Sequence, residues 1–259
     1  MTSLGDLPGW PWPADAGELE CLQVGLAELA DAAPLWEPRG AASSQPPSPT
    51  PIGSDEPAGT LPACLTVAGV YVTYPSGVGG PGEAGEPMWA AAVLMRGAEV
   101  TAKATEHGQT GGPYASGLLA LRCGPLPECA VRALPRRPDL LVVDATGRDH
   151  PRRAGLALHL GAVLDVPTVG VTNRALLAEA APVGDHRGAA SPLVLNGELV
   201  GYSVRTARGV NPVLAHAAWR TSPELALRAA LLLTGRRRTP EPLRRARTLA
   251  RVARAQEKG

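Results

Sequence analysis

The chain has 259 residues, 44% of them hydrophobic, with 30 glycines, 27 prolines and no phenylalanine. That length accommodates one large α/β domain or two small ones, with enough apolar content for a full core. A formal net charge of +1 gives no global electrostatic case for nucleic acid, and no apolar run is long enough for a membrane-spanning helix.

Residues 1–13 form a Pro/Trp-rich arm in which Trp10 and Trp12 can pack on the domain or on a partner. Leu19, Leu22, Val24, Leu26 and Leu29 recur at helical spacing, so an amphipathic helix is predicted over 16–30. Residues 34–62 are Pro-, Ser- and Gly-rich and carry too little apolar surface to order themselves, which predicts a flexible linker. The expected organisation is an arm and helix over 1–33, the linker over 34–62, and a domain over 63–259 that closes in a basic helix. The four cysteines, Cys21, Cys64, Cys123 and Cys129, show neither CxxC nor zinc-ligand spacing. With no secretory signal legible, a reducing cytoplasm is expected.

Within the domain, 65–74 reads as a strand, and 88–96 and 98–106 complete an antiparallel meander. Residues 108–117 form a loop, and 118–134 a helix with an awkward middle at Pro125 and Pro127. Residues 140–171 read as strand, loop, helix, strand: an apolar run ending at Asp144, a turn through Gly147, a helix over 155–164, and a strand over 166–171. Such a unit implies parallel pairing and a right-handed crossover, with ligands gathering beyond the C-terminal strand ends, where Asp144 sits. Asn196-Gly197 marks a hairpin, Ser222 caps a helix over 223–233, and a basic helix follows over 242–254. Three antiparallel strands, then helix, parallel strand, helix and strand predict an α/β fold, a ribonuclease H-like mixed sheet flanked by helices.

Several of these segments carry a family's motifs. VVDATG, His150-Pro151-Arg152-Arg153, the 155–161 helix start, 165–171, Pro113-Tyr114 with Gly117, GYSVRTARGVNPV and RTPEPLRRA occur in one order. In that order they resemble endonuclease V, a ribonuclease H-like nuclease that cuts DNA near deoxyinosine. The resemblance spans about 66–246 and implies magnesium held by carboxylates, since this hard ion takes oxygen ligands and activates water. The chain departs from that pattern at the chemistry. Tyr71 stands where the family has its first aspartate, Cys123 its glutamate, Asn173 its lysine, Trp219 the histidine of a Gly-His-Arg segment, and Thr146 the histidine after the central aspartate. Only Asp144 of the acids remains, and no metal or cofactor is expected.

Each candidate has two readings. Asp144 either caps its turn or acts as acid, base or substrate contact; His150 is a general base or a fastener of the HPRR turn. Cys123 is a buried small hydrophobe or a reactive thiol. Tyr71 and Trp219 either fill the former ion site or line it for an organic ligand, with Asn173, Arg152 and Arg153 as further contacts. Tyr114 either stacks on a base or is a core or loop tyrosine kept by descent, and Asp149 and His216 either substitute for the missing ligands from displaced positions or have no part in the site, the spacing favouring the latter. Arg236, Arg237, Arg238, Arg244, Arg245, Arg247, Arg251 and Arg254 are either a solvated face or a phosphate grip. Three functions follow, in order. The first is a homologue that has lost hydrolysis, its cleft remodelled around Tyr71, Cys123 and Trp219 for a small-molecule substrate, as in specialised-metabolite biosynthesis. The second is an inactive nucleic-acid-binding module or the partner of another subunit. The third is a nuclease with relocated ligands.

Overall fold

The structure is a computed structural model that describes residues 10–38, 64–76, 80, 82–235 and 237–257. Most of the expected linker, and Arg236, therefore lie outside the described residues. The elements in order are α1 (Ala16–Ala32), β1 (Thr66–Thr73), β2 (Pro87–Arg96), β3 (Glu99–Gln109), α2 (Leu119–Cys123), α3 (Pro125–Arg132), β4 (Leu140–Val143), α4 (Leu156–Leu164), β5 (Thr168–Thr172), β6 (Ala190–Leu195), β7 (Glu198–Val204), β8 (Val213–Ala217), α5 (Pro223–Leu232) and α6 (Glu241–Gln256).

The eight strands form one sheet in the order β3-β2-β1-β4-β5-β8-β7-β6. β1 pairs antiparallel with β2 and parallel with β4, and β4 pairs parallel with β5. The expected ribonuclease H-like mixed sheet is the one observed. β4 has all four residues buried, as a central strand covered on both faces must be. Leu141 and Val143 face the core shared with α1, α3 and α4, whereas Leu140 and Val142 face the core under α5 and α6. By this alternation Asp144, one residue beyond the strand, belongs to the α5/α6 face.

Local chemistry accounts for the ends. Asp15 accepts from the Glu18 N–H at 2.9 Å to start α1, and Ser222 does the same for Leu225 at 3.1 Å to start α5. The predicted helix over 118–134 splits at Gly124, and Pro125 opens α3 at a position where its missing N–H costs nothing. Asn196 and Gly197 both take positive φ, 51° and 82°, as a two-residue hairpin turn requires. One strand went unread: β8, whose VLAHA sequence is too short and too alanine-rich to show a period.

α6 lies along β1. A side chain at Gly69 would collide with the backbone of Pro242 and Leu243, so glycine there lets helix and strand touch directly. Leu243, Ala246 and Ala250 are the buried face of α6. α1 buries Leu19, Leu22 and Leu26 completely in the opposite core. No helix among the described residues is long and apolar enough to cross a membrane.

Candidate functional site

At the C-terminal ends of the parallel strands, Asp144 meets Arg247 from α6, with Arg247 NH2 3.5 Å from Asp144 Oδ2. The same guanidinium lies over the Tyr71 ring, 5.0 Å from its centroid. Arg247 Nε is buried with no hydrogen-bond partner. Burial raises the Asp144 carboxyl above the usual carboxylate range, and the charge and hydrogen bond of Arg247 offset this only in part. Arg238 reaches the same end of the sheet. It donates from Nε to Asn211 O and from NH2 to Pro212 O, both at 2.7 Å. Its pKa is held below the usual value by burial and then by the charge of Arg247. Asn173 is exposed just past β5.

Arg247 is thus the residue the sequence reading left inside a generic basic helix. The signal was available in the spacing. With Leu243, Ala246 and Ala250 facing the sheet, Arg247 falls on the flank of that stripe, beside the strand that α6 covers.

The pocket expected from Tyr71, Cys123 and Trp219 does not form. Cys123 is buried in the core on the other face of the sheet, where desolvation pushes its thiol up to about 11 and makes it an inert neighbour of Tyr74. Trp219 follows β8 and sits at the opposite end of β5, its carbonyl accepting from Thr168 N–H at 2.9 Å and its ring N–H donating to Asp165 at 3.2 Å. Two surface recesses, of about 280 and 300 Å³, lie elsewhere: one between the end of α1 and Ser222, the other between β2, β3 and α6.

The HPRR turn is a fastener. His150 Nε2 lies 3.0 Å from Gly117 O, and His150 Nδ1 accepts from Arg152 N–H at 3.2 Å. Burial disfavours the protonated imidazole, its pKa lowered to about 4, and both ring nitrogens are engaged within the turn and its neighbour loop. Gln23 of α1 donates to Gly117 O at 3.0 Å and accepts from Arg152 Nε at 2.7 Å. Arg153 pairs with Asp31 and Glu198, and Arg148 with Asp31. These guanidiniums therefore tie α1 and the β7 hairpin to the turn. Asp149 is fully buried and accepts from the N–H groups of Leu176, Leu177 and Ala178 at 2.8 to 2.9 Å. His216, 4.0 Å away and equally buried, is held neutral by burial, its pKa lowered to about 4. Asp149 is thus engaged by three backbone N–H groups, and His216 Nε2 lies 2.8 Å from Thr172 Oγ1.

Tyr114 is different: it is 51% exposed at the tip of a loop clamped at both ends. Arg122, itself buried, donates to Gly112 O at 2.7 Å on one side, and Gln23 and His150 hold Gly117 O on the other. Of the C-terminal arginines, Arg244 and Arg245 pair with Glu241 and Arg254 donates to Thr73 Oγ1 and Tyr74 O, while Arg251 is exposed. Among the described residues, no group of three or more His, Cys, Asp or Glu side chains is placed to share a metal ion.

The Endonuclease V family model matches residues 56–248. The chain is 39% identical to the Endonuclease V of Streptomyces avermitilis over 201 residues, covering 77% of this chain and 84% of that protein. It is 43% identical to that of Methanopyrus kandleri over 187 residues, covering 71% and 77%. The crystal structure of the S. avermitilis Endonuclease V superposes with a TM-score of 0.76 at 34% identity, covering 98% of each chain.

Proposed function

Because this chain belongs to the endonuclease V family, we propose that it binds nucleic acid in the family's cleft without cutting it by a magnesium-dependent route. The observation that carries this reading is the pairing of Asp144 with Arg247. A divalent ion needs several hard oxygen ligands, and here one carboxylate already faces an internal cation. The residues present do not fit magnesium. A second cation brought beside Arg247 would meet like-charge repulsion in a half-buried site.

Binding is supported by Tyr114, an exposed ring on a loop clamped at both ends and suited to stacking on a base. A small-molecule role draws no support from Tyr71, Cys123 and Trp219, which lie apart. The test uses a deoxyinosine-containing duplex, with fluorescence anisotropy for binding and gel analysis for cleavage in magnesium or manganese. Binding that weakens steeply with salt and no cleavage are expected. Cleavage abolished by Asp144→Ala would overturn the proposal in favour of a nuclease with relocated ligands.

A further inference from the structure

The loop that carries Tyr114 projects between two buried glycines. Gly112 and Gly117 are buried, while Pro113, Tyr114 and Ser116 between them are exposed. The anchor at Gly112 is local: Arg122, ten residues on, donates from NH1 to Gly112 O at 2.7 Å. The anchor at Gly117 is not. Gly117 takes a φ of 80°, and its carbonyl lies 3.0 Å from His150 Nε2 and accepts from Gln23 Nε2 at 3.0 Å. Because His150 Nδ1 accepts from the Arg152 N–H, the imidazole proton is on Nε2, and two donors converge on one oxygen.

Gln23 belongs to α1, before the residues that the family model matches. It lies in the stripe by which α1 docks, where Leu19, Leu22 and Leu26 are fully buried and Gln23 itself is 1% exposed. An amide in this position costs desolvation that a leucine would not, and the cost is offset only when its polar atoms are bonded. Both ends are: Oε1 accepts from Arg152 Nε at 2.7 Å, and Nε2 donates to Gly117 O. The Arg152 bond decides which end of the amide is oxygen, so the NH2 group must face the loop. A buried polar group that reaches from one element to the backbone of another restricts where the second can sit. We propose that Gln23 is a positioning residue for nucleic-acid binding, fixing the Gly117 end of the loop so that the Tyr114 ring meets a base in one orientation. This rests on the reading of Tyr114 as a stacking group. A loop released at Gly117 would still expose the ring, but ordering it would then cost conformational entropy at the moment of binding.

The test is a double-mutant cycle on the full chain, read as affinity for the deoxyinosine duplex by fluorescence anisotropy. Gln23→Ala is expected to weaken binding by about fivefold or more, a part of what stacking on one base supplies. Made in the Tyr114→Ala background, the same substitution is expected to change affinity by less than about twofold, since no ring is left to position. No loss in the wild-type background, or the same loss in both, overturns the proposal. Gln23→Glu covers the case in which Gln23→Ala does not fold. It keeps the acceptor for Arg152 and loses the donor to Gly117 O, so the same Tyr114-dependent loss is expected. Hydrogen exchange gives a second readout: the 114–118 amides should exchange faster in either variant while those of α4 stay as in wild type, and unchanged loop exchange also overturns the proposal. Duplex binding with additive losses leaves the nucleic-acid reading standing and removes Gln23 from it. Wild-type protein that does not bind the duplex removes the nucleic-acid reading itself, and the role of Gln23 with it.

Discussion

The two sides of the loop that follows β4 make an instructive contrast. On one side, Asp149, His150, Arg152 and Arg153 are engaged by backbone groups, by Gln23 or by oppositely charged partners; among the buried side-chain atoms of these four, Arg153 Nε is the one without a hydrogen-bond partner. On the other, Asp144 has Arg247 as its ion-pair partner at 3.5 Å, and Arg247 Nε is buried without a hydrogen-bond partner. Both clusters are built from the residue types that catalyse reactions. The first resembles an active site in sequence and ties the turn to α1 and the β7 hairpin; the second joins an acid at a strand end to a cation from a basic helix.

Acid should break this contrast most severely on the scaffold side. His150, His159 and His216 are buried and neutral, each with its pKa lowered to about 4, led by desolvation. Between about pH 6.5 and 4 the unfolded chain binds protons that the folded chain refuses, so stability is complete above that window and falls as pH drops through it. The slope is on the order of 1 kcal/mol per pH unit for each histidine, read from urea denaturation at stepped pH. A flat stability from pH 6.5 to 4.5 would show that these histidines are not neutral fasteners.

Asp149→Ala comes next. It strips three backbone N–H groups of their acceptor in a dry core, and a loss of about 3–5 kcal/mol is expected in the same denaturation measurement. A loss below about 1 kcal/mol would mean that the turn is held by something else.

On the cleft side the effects should move from stability to binding. Tyr114→Ala removes an exposed ring, so stability should stay within about 0.5 kcal/mol of wild type. Duplex affinity should drop by about 1–3 kcal/mol. Unchanged anisotropy curves would remove Tyr114 from the interface. The smallest stability effect is expected for Asp144→Asn. Burial disfavours the charged carboxylate, so the fold gains when that charge is deleted and loses the Arg247 pairing in exchange. The net change should be under about 1 kcal/mol, measurable as a nearly unshifted thermal midpoint.

Much of the fold was legible because the relevant signals are local. The apolar run of β4, the Asn196-Gly197 turn and the Ser222 cap each depend on a few neighbouring residues. β8 was not, since VLAHA has neither length nor alternation. The site was less legible for a physical reason: its partners are far apart in sequence. Asp144 was visible as an acid at a strand end, but Arg247 joins it only because Gly69 lets α6 lie against β1. Trp219 was placed beside Asp144 by analogy with a family position, yet the antiparallel direction of β8 carries it to the other end of the sheet. Cys123 was a similar case, separated from Tyr71 by the thickness of the sheet.

The docking of α1 has a consequence for modularity. The family match begins at residue 56, well after this helix. Yet Leu19, Leu22 and Leu26 fill the core beneath α4, while Glu20, Gln23 and Asp31 supply partners for Arg152, Arg148 and Arg153. A chain trimmed to the family boundary would uncover an apolar groove and leave three guanidiniums short of a partner, and the Tyr114 loop would lose Gln23 from its anchor at Gly117. The helix before the recognisable domain is thus part of its interior, in a core against which Trp10 and Trp12 also pack.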